Sequence, residues 1–229
     1  MRPSLRQLLP AFPLSRVRGD LLPRPSCSPL PLLACGSSLP PRQVVEAQKR
    51  HLEQEAVVGG YEVAKEADDR PTLEPVYDSV ARLLNASREE IALFESATLA
   101  WNAAFLAVST SFRAGDRVLT VTADYASNHI ALLQAKERYG IAVEVIPDGP
   151  DGKTDVRALE AMIEQPSTKG KVKLIAVTHV PTNGGLVNPA AAIGAVARRH
   201  GIPFLLDACQ SAGQLPLDVQ ELCCDFLSA

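Results

Sequence analysis

Pro203-Phe204-Leu205-Leu206-Asp207-Ala208-Cys209-Gln210 carries an acid at the end of a continuous apolar run. An apolar run without polar alternation reads as a strand covered on both faces, the pattern of a parallel sheet. Asp207 is then delivered from the strand's carboxyl end into the turn LLDACQSAG, residues 205–213. Desolvation pushes such an acid toward its neutral form, so an ionised Asp207 needs a cationic partner. No Lys or Arg is close to it in sequence. A bound cation or a protonated ligand would supply the charge.

The stretch KVKLIAVTHVPTNGGLVNP, residues 171–189, repeats the same grammar: a β-branched apolar strand opening into polar residues and two glycines. Thr178, His179, Asn183 and Gln210 are thereby placed at the carboxyl ends of strands, the edge where open α/β sheets bind ligands. Asn-Gly and Gly-Gly pairs also end strands for local reasons alone, so both readings stand for Asn183.

Outward from these two strands the chain is regular. Val44, Val45, Gln48 and Leu52 predict a helix that ends at Gly59-Gly60, and Leu73, Val76, Tyr77, Val80, Leu83 and Leu84 predict a second. Strands are expected over 91–94, 118–121, 142–146, 174–178 and 203–206. Helices are expected over about 98–108, 128–139, 155–164 and 190–200. Strands alternating with helices mean an α/β fold with a mostly parallel sheet. Residues 36–70 form an N-terminal helical segment in this reading, and 71–229 the sheet domain.

Residues 1–35 differ. Arg2, Arg6, Arg16, Arg18 and Arg24 stand among many prolines and leucines with Asp20 as the lone acid. This composition predicts a poorly ordered extension. Organelle targeting is one reading, since transit segments are rich in Arg and Ser and poor in acids, although the prolines break the helix such a segment prefers. The alternative is a cytoplasmic protein with an extension of no function.

The chain of 229 residues has 46% hydrophobic residues and a net charge of −3, the profile of a globular protein with a small-molecule ligand rather than a nucleic-acid binder. No stretch approaches the roughly 20 apolar residues that span a bilayer. Cys27, Cys35, Cys209, Cys223 and Cys224 lack metal-ligand or disulfide-framework spacing, which fits a reducing compartment and predicts no metal site. Cys209 is read as a packed small side chain rather than a nucleophile.

Ser96-Ala97-Thr98 precedes a helix, where short hydroxyl residues cap the first turn and free amides can hold a phosphate. Neither G-x-G-x-x-G nor G-x-x-x-x-G-K-[ST] occurs, which removes most support for dinucleotide and nucleoside-triphosphate readings. The absence of H-E-x-x-H and G-x-S-x-G does the same for zinc proteases and α/β-hydrolases.

The blocks ESATLAWNAAF, ADYASNHIALLQ, THVPTNGGLVNP, LLDACQSAGQLPLDV and CDFLSA, in this order, resemble the large domain of the class V aminotransferase family, the fold type I pyridoxal-phosphate enzymes. The resemblance runs from about Gly36 to Ala229. The family includes cysteine desulfurases and selenocysteine lyases, and the Tyr125 and Asn183 stretches are most similar to carbon–sulfur lyases such as those cleaving a hercynylcysteine sulfoxide. The resemblance implies a three-layer fold, pyridoxal 5'-phosphate as cofactor, an amino-acid substrate and a homodimer in the full-length form. Asp207 matches the acid against the pyridine nitrogen, which would be its missing cationic partner. Gln210 matches a contact to the 3-hydroxyl side of the ring, and Asn183 a polar residue on that same side. Ala97, Thr98 and Ser228 match the phosphate contacts. Tyr125 stands where many relatives stack a histidine, and a phenol with an ordinary pKa near 10 is a poor proton carrier at neutral pH.

One element of the pattern has no counterpart. The Schiff-base lysine of the family follows the segment matching DFLSA, and here no lysine follows Lys173. Lys169, Lys171 and Lys173 precede or begin a strand, on the wrong side of the domain. This leads to the expectation of an incomplete sheet and a missing small domain, with no catalytic residue assigned and the chain inactive alone. The competing expectation is a non-catalytic cofactor-binding or assembly module.

Overall fold

Alternate residues of each inner strand divide between two buried apolar clusters in the computed structural model, which describes residues 39–69, 74–165 and 170–229. The expectation of a loosely ordered extension over 1–35 lies outside the described residues. The chain forms two compact units, Met1–Leu73 and Glu74–Ala229.

In the first unit, α1 (Arg42–Val58) stops at Gly59, whose φ of 91° breaks the helix. The sequence predicts that helix to end here, but the chain restarts at once as α2 (Gly60–Asp69). The glycine pair is a hinge between helices rather than the start of a loop.

The second unit runs through α3 (Glu74–Leu84), a short 3-10 turn (Arg88–Glu90), α4 (Ala97–Ser109), β1 (Arg117–Val121), α5 (Ala126–Tyr139) and β2 (Ala142–Ile146). It continues through α6 (Val156–Glu164), β3 (Val172–Thr178), α7 (Ala190–His200), β4 (Phe204–Asp207), α8 (Val219–Leu222) and β5 (Phe226–Ser228). All neighbouring strands are parallel, in the order β2-β1-β3-β4-β5. Parallel pairing needs a crossover between consecutive strands, and α5, α6 and α7 supply three of them.

Val118, Leu174, Ala176 and Leu205 pack with Trp101 and Phe105 of α4 and Leu132 of α5. Leu119, Ile175, Val177, Phe204 and Leu206 pack with Leu159 of α6 and Ile193 and Val196 of α7. Both faces of the inner strands are therefore dry, which explains why they read as unbroken apolar runs, and the fold is a three-layer α/β sandwich. Each fully buried Leu or Ile contributes roughly 1.5–3 kcal/mol of transfer free energy. α7 also lies so close to α8 that a methyl group at Gly194 would run into the Leu222 carbonyl.

The expected strand over Ile91–Phe94 is a correction. The segment is not in the sheet; Leu93 and Phe94 are about half exposed. It faces the β5 edge across a cavity of 780 Å³ lined by residues 90–97 and by Leu227, Ser228 and Ala229. Apolar character made it read as a strand, but a strand also needs a hydrogen-bonding neighbour, and among the described residues none pairs with it.

From β1 the chain moves outward to β2 and then returns past β1 to β3. The order reverses between β1 and β3, which opens a crevice above their carboxyl ends.

Candidate active site

Asp207 ends β4 and is buried, in register with Thr178 of β3 on one side and Ser228 of β5 on the other. Its Oδ1 accepts the Cys209 amide at 3.0 Å and its Oδ2 accepts Asn128 Nδ2 at 2.7 Å. Both donors are neutral, and among the described residues no basic side chain forms an ion pair with it. Burial raises its pKa above the ordinary carboxylate value; the two hydrogen bonds oppose this, and the charge of Asp124 adds to it. Asp207 is therefore a buried acid held by neutral donors alone among the described residues.

Asn128 lies in the first turn of α5 because that helix begins at Ala126, slightly before the expected start. The same Nδ2 also reaches Asp124 Oδ1 at 3.2 Å. Asp124 follows β1 and accepts Thr120 Oγ1 and Thr178 Oγ1, both at 2.7 Å, and the Tyr125 amide at 2.8 Å. Two acids thus meet across one amide at the crevice. Asp124 and Asn128 fall inside the block ADYASNHIALLQ, yet neither they nor Thr120 is given a role by sequence reasoning; the i, i+4 spacing of Asp124 and Asn128 beyond an apolar strand is the available signal.

Tyr125 and Asn183 come together. They line a cleft of 390 Å³ with Asp124, His129, Pro181 and Thr182, at the reversal of strand order. Tyr125 is half exposed and Asn183 exposed, so both are available to a ligand. Gln210 is half-buried in the turn after β4. His179 is buried, its Nδ1 2.9 Å from Ser211 Oγ, with burial lowering its pKa. It fastens the turn after β4 to β3. Asn188 ties the same strand end down, donating from Nδ2 to the Thr178 carbonyl at 2.8 Å and accepting Thr154 Oγ1 at 2.9 Å.

Ser96 caps α4 through its hydroxyl, which accepts the Leu99 amide at 3.3 Å. Thr98 is exposed on the first turn, its Oγ1 3.5 Å from Ser127 Oγ, so the amino ends of α4 and α5 converge. Ala97 and Ser228 line the 780 Å³ cavity together. Ser228 Oγ is buried and has no hydrogen-bond partner among the described residues. A buried hydroxyl left in this way costs about 1–3 kcal/mol.

Cys209 is exposed rather than packed, a correction to the expected buried role; partial enclosure and the charge of Asp207 both push its thiol up, away from thiolate chemistry. Cys224 packs against the core, and burial pushes it up to about 11. Lys171 and Lys173 sit at the amino end of β3, remote from Thr178 at the other end, as expected; Lys169 lies outside the described residues. Among the described residues no helix is long and apolar enough to cross a membrane.

Comparison with known proteins places this geometry. The chain is 31% identical over 224 residues to a cysteine desulfurase of Pectobacterium atrosepticum, covering 94% of this chain and 54% of that protein. It is likewise 31% identical to a cysteine desulfurase of Salmonella typhimurium strain LT2, covering 94% and 53%. The structure of an apo cysteine desulfurase from Thermococcus onnurineus NA1 superposes with a TM-score of 0.75 at 26% identity, over 93% of this chain and 52% of that one. The chain spans about half the length of the curated relatives it matches. The aminotransferase class-V family matches residues 32–229, the whole sheet and every residue of the crevice, and to that family the chain belongs.

Proposed function

We propose that the carboxyl ends of this sheet bind pyridoxal 5'-phosphate and serve an enzyme that acts on an amino acid at a carbon–sulfur bond. The observation that carries the reading is the in-register pair of Asp207, a buried acid without a cation among the described residues, and Ser228, a buried hydroxyl without a partner among them. An aromatic nitrogen cation and a phosphate on one small molecule would satisfy both. The residues present fit that group.

In this reading Asp207 holds a proton on the ring nitrogen by its charge. Gln210 and Asn183 bind the 3-hydroxyl side, and Tyr125 covers a ring face. Ser228, with the amides of Ala97 and Thr98 at the positive end of α4, holds the phosphate. When bound, the cofactor withdraws electrons from the substrate's bonds. The protein's task is to keep the nitrogen end charged and the phosphate end fixed, which orients the ring. The name of the cysteine desulfurases supports a sulfur-bearing amino acid as the substrate class.

The same reading proposes a homodimer for the longer protein, supported by exposed Leu99 and Leu106 on α4 and Ile130 and Leu133 on α5. It proposes a reducing, cytoplasmic setting, supported by free Cys209, Cys223 and Cys224. Lys171 and Lys173 lie at the amino end of β3, away from the crevice, so in this reading neither of them links covalently to the cofactor.

Titration of the 229-residue chain with pyridoxal phosphate tests the proposal. Saturable binding that inorganic phosphate competes away is expected, with no borohydride-fixed pyridoxyl group at one defined lysine by mass spectrometry. Failure to saturate would overturn the site, and a stoichiometric pyridoxyl-lysine would overturn the non-covalent mode.

A further inference from the structure

Asn128 is 2% exposed, and its side-chain amide is the sole direct bridge between the two acids of the crevice among the described residues. A primary amide has two N–H donors, and here one nitrogen serves Asp207 Oδ2 at 2.7 Å and Asp124 Oδ1 at 3.2 Å. The two acids are unequally supplied. Asp124 accepts from Thr120, Thr178, the Tyr125 amide and Asn128, whereas the Asp207 side chain accepts only from Asn128 and the Cys209 amide among the described residues.

We propose that Asp124, acting through Asn128, sets the charge of Asp207, with both as positioning residues for that acid. Two carboxylates joined by one amide resist being charged together, and the proton goes to the acid with fewer donors. That acid is Asp207. The direction of its pKa agrees, since burial and the charge of Asp124 both raise it. The other titratable groups around Asp207 are Cys209 on its own turn and His179 at the end of β3, whose ring is engaged with Ser211. Neither supplies a donor side chain to the carboxylate.

A protonated Asp207 changes how a ligand enters. Below its raised pKa, Asp207 meets a ligand with a basic aromatic nitrogen as an acid that carries a proton. The O–H bond of Asp207 breaks as the N–H bond forms, leaving a carboxylate and an aromatic cation with no net proton taken from water. Asp124 keeps its own donors throughout. This last consequence rests on the proposed cofactor; the pairing of the acids does not.

The test is the titration of the Asp207 carboxyl carbon by NMR in the chain without cofactor, for the unsubstituted protein, Asp124→Asn and Asn128→Leu. Asp124→Asn removes a charge and keeps the shape, so the Asp207 midpoint moves down. Asn128→Leu removes a donor, so the midpoint moves up. Opposite shifts are expected, and a change of packing alone would not produce them. An unmoved midpoint in Asp124→Asn, or shifts of one sign in both variants, overturns the proposal. Should Asn128→Leu fail to fold, Asp124→Asn decides alone. Opposite shifts in a chain that does not bind pyridoxal phosphate would leave this inference standing and remove the proposed function.

Discussion

The two ends of one sheet treat charge in opposite ways. At the amino end, Arg117 is 3% exposed and its guanidinium reaches Glu144 Oε2 from Nη2 at 2.5 Å and from Nε at 3.0 Å. Its remaining arm donates to the Met162 carbonyl at 3.0 Å. The neighbouring Asp116 accepts the Arg113 amide at 2.8 Å. At the carboxyl end, among the described residues, Asp207 has no cation and Ser228 Oγ has no partner. Burial is similar at both ends, so burial is not what separates them. Polar groups that satisfy one another hold the amino end together, and the groups left over at the carboxyl end are those the proposed cofactor would engage.

The largest break in this contrast comes at the closed end. Arg117→Met should lower the unfolding free energy by about 3 kcal/mol, because Glu144 and the Met162 carbonyl lose their donors together. Urea unfolding measures it, and a loss below about 1 kcal/mol would mean that the pair is a surface-type contact.

At the open end the sign should reverse. Ser228→Ala removes a buried hydroxyl without a partner, so the cofactor-free chain should gain about 1 kcal/mol in the same assay. Affinity for pyridoxal phosphate should fall roughly tenfold, as expected for one charge-assisted hydrogen bond. A stability loss would show that the hydroxyl has a partner in solution and would remove it from the site.

The smallest effect is a pH dependence. Because burial raises the folded-state pKa of Asp207, its contribution to stability is full below the ordinary carboxylate value and is lost as pH climbs through the raised value. Asp207→Asn should flatten that fall and leave the cofactor-free chain more stable at neutral pH, while binding pyridoxal phosphate less well. Identical unfolding profiles across this range would return Asp207 to the status of an ordinary surface-like acid.

How much of this was written in the sequence depends on whether a residue's partners are local. Phe204–Leu206 and Leu174–Val177 were legible because these stretches, covered on both faces, carry no polar residue until they end, and that makes Asp207 conspicuous. Ile91–Phe94 carried the same apolar signal and misled, since apolarity reports burial tendency and not the presence of a neighbouring strand. Asn128 was invisible for a related reason. Polar residues are ordinary in a helix, and its partner Asp207 is 79 residues away, a relation that only the crossover of the sheet creates.

β5 is three residues long, pairs with β4 on one side and stands at the edge of the sheet. The Ala208 amide donates to the Ser228 carbonyl at 2.7 Å, so fraying of this edge strand detaches Ser228 and loosens the turn after Asp207 in a single event. Edge strands open locally at far lower free energy than the core, and ligand sites draw on such regions. The two halves of the crevice are therefore expected to open together. A molecule spanning Asp207 and Ser228 would act as a clasp, slowing amide hydrogen exchange in β5 and at Ala208 while leaving β1 and β3 unchanged.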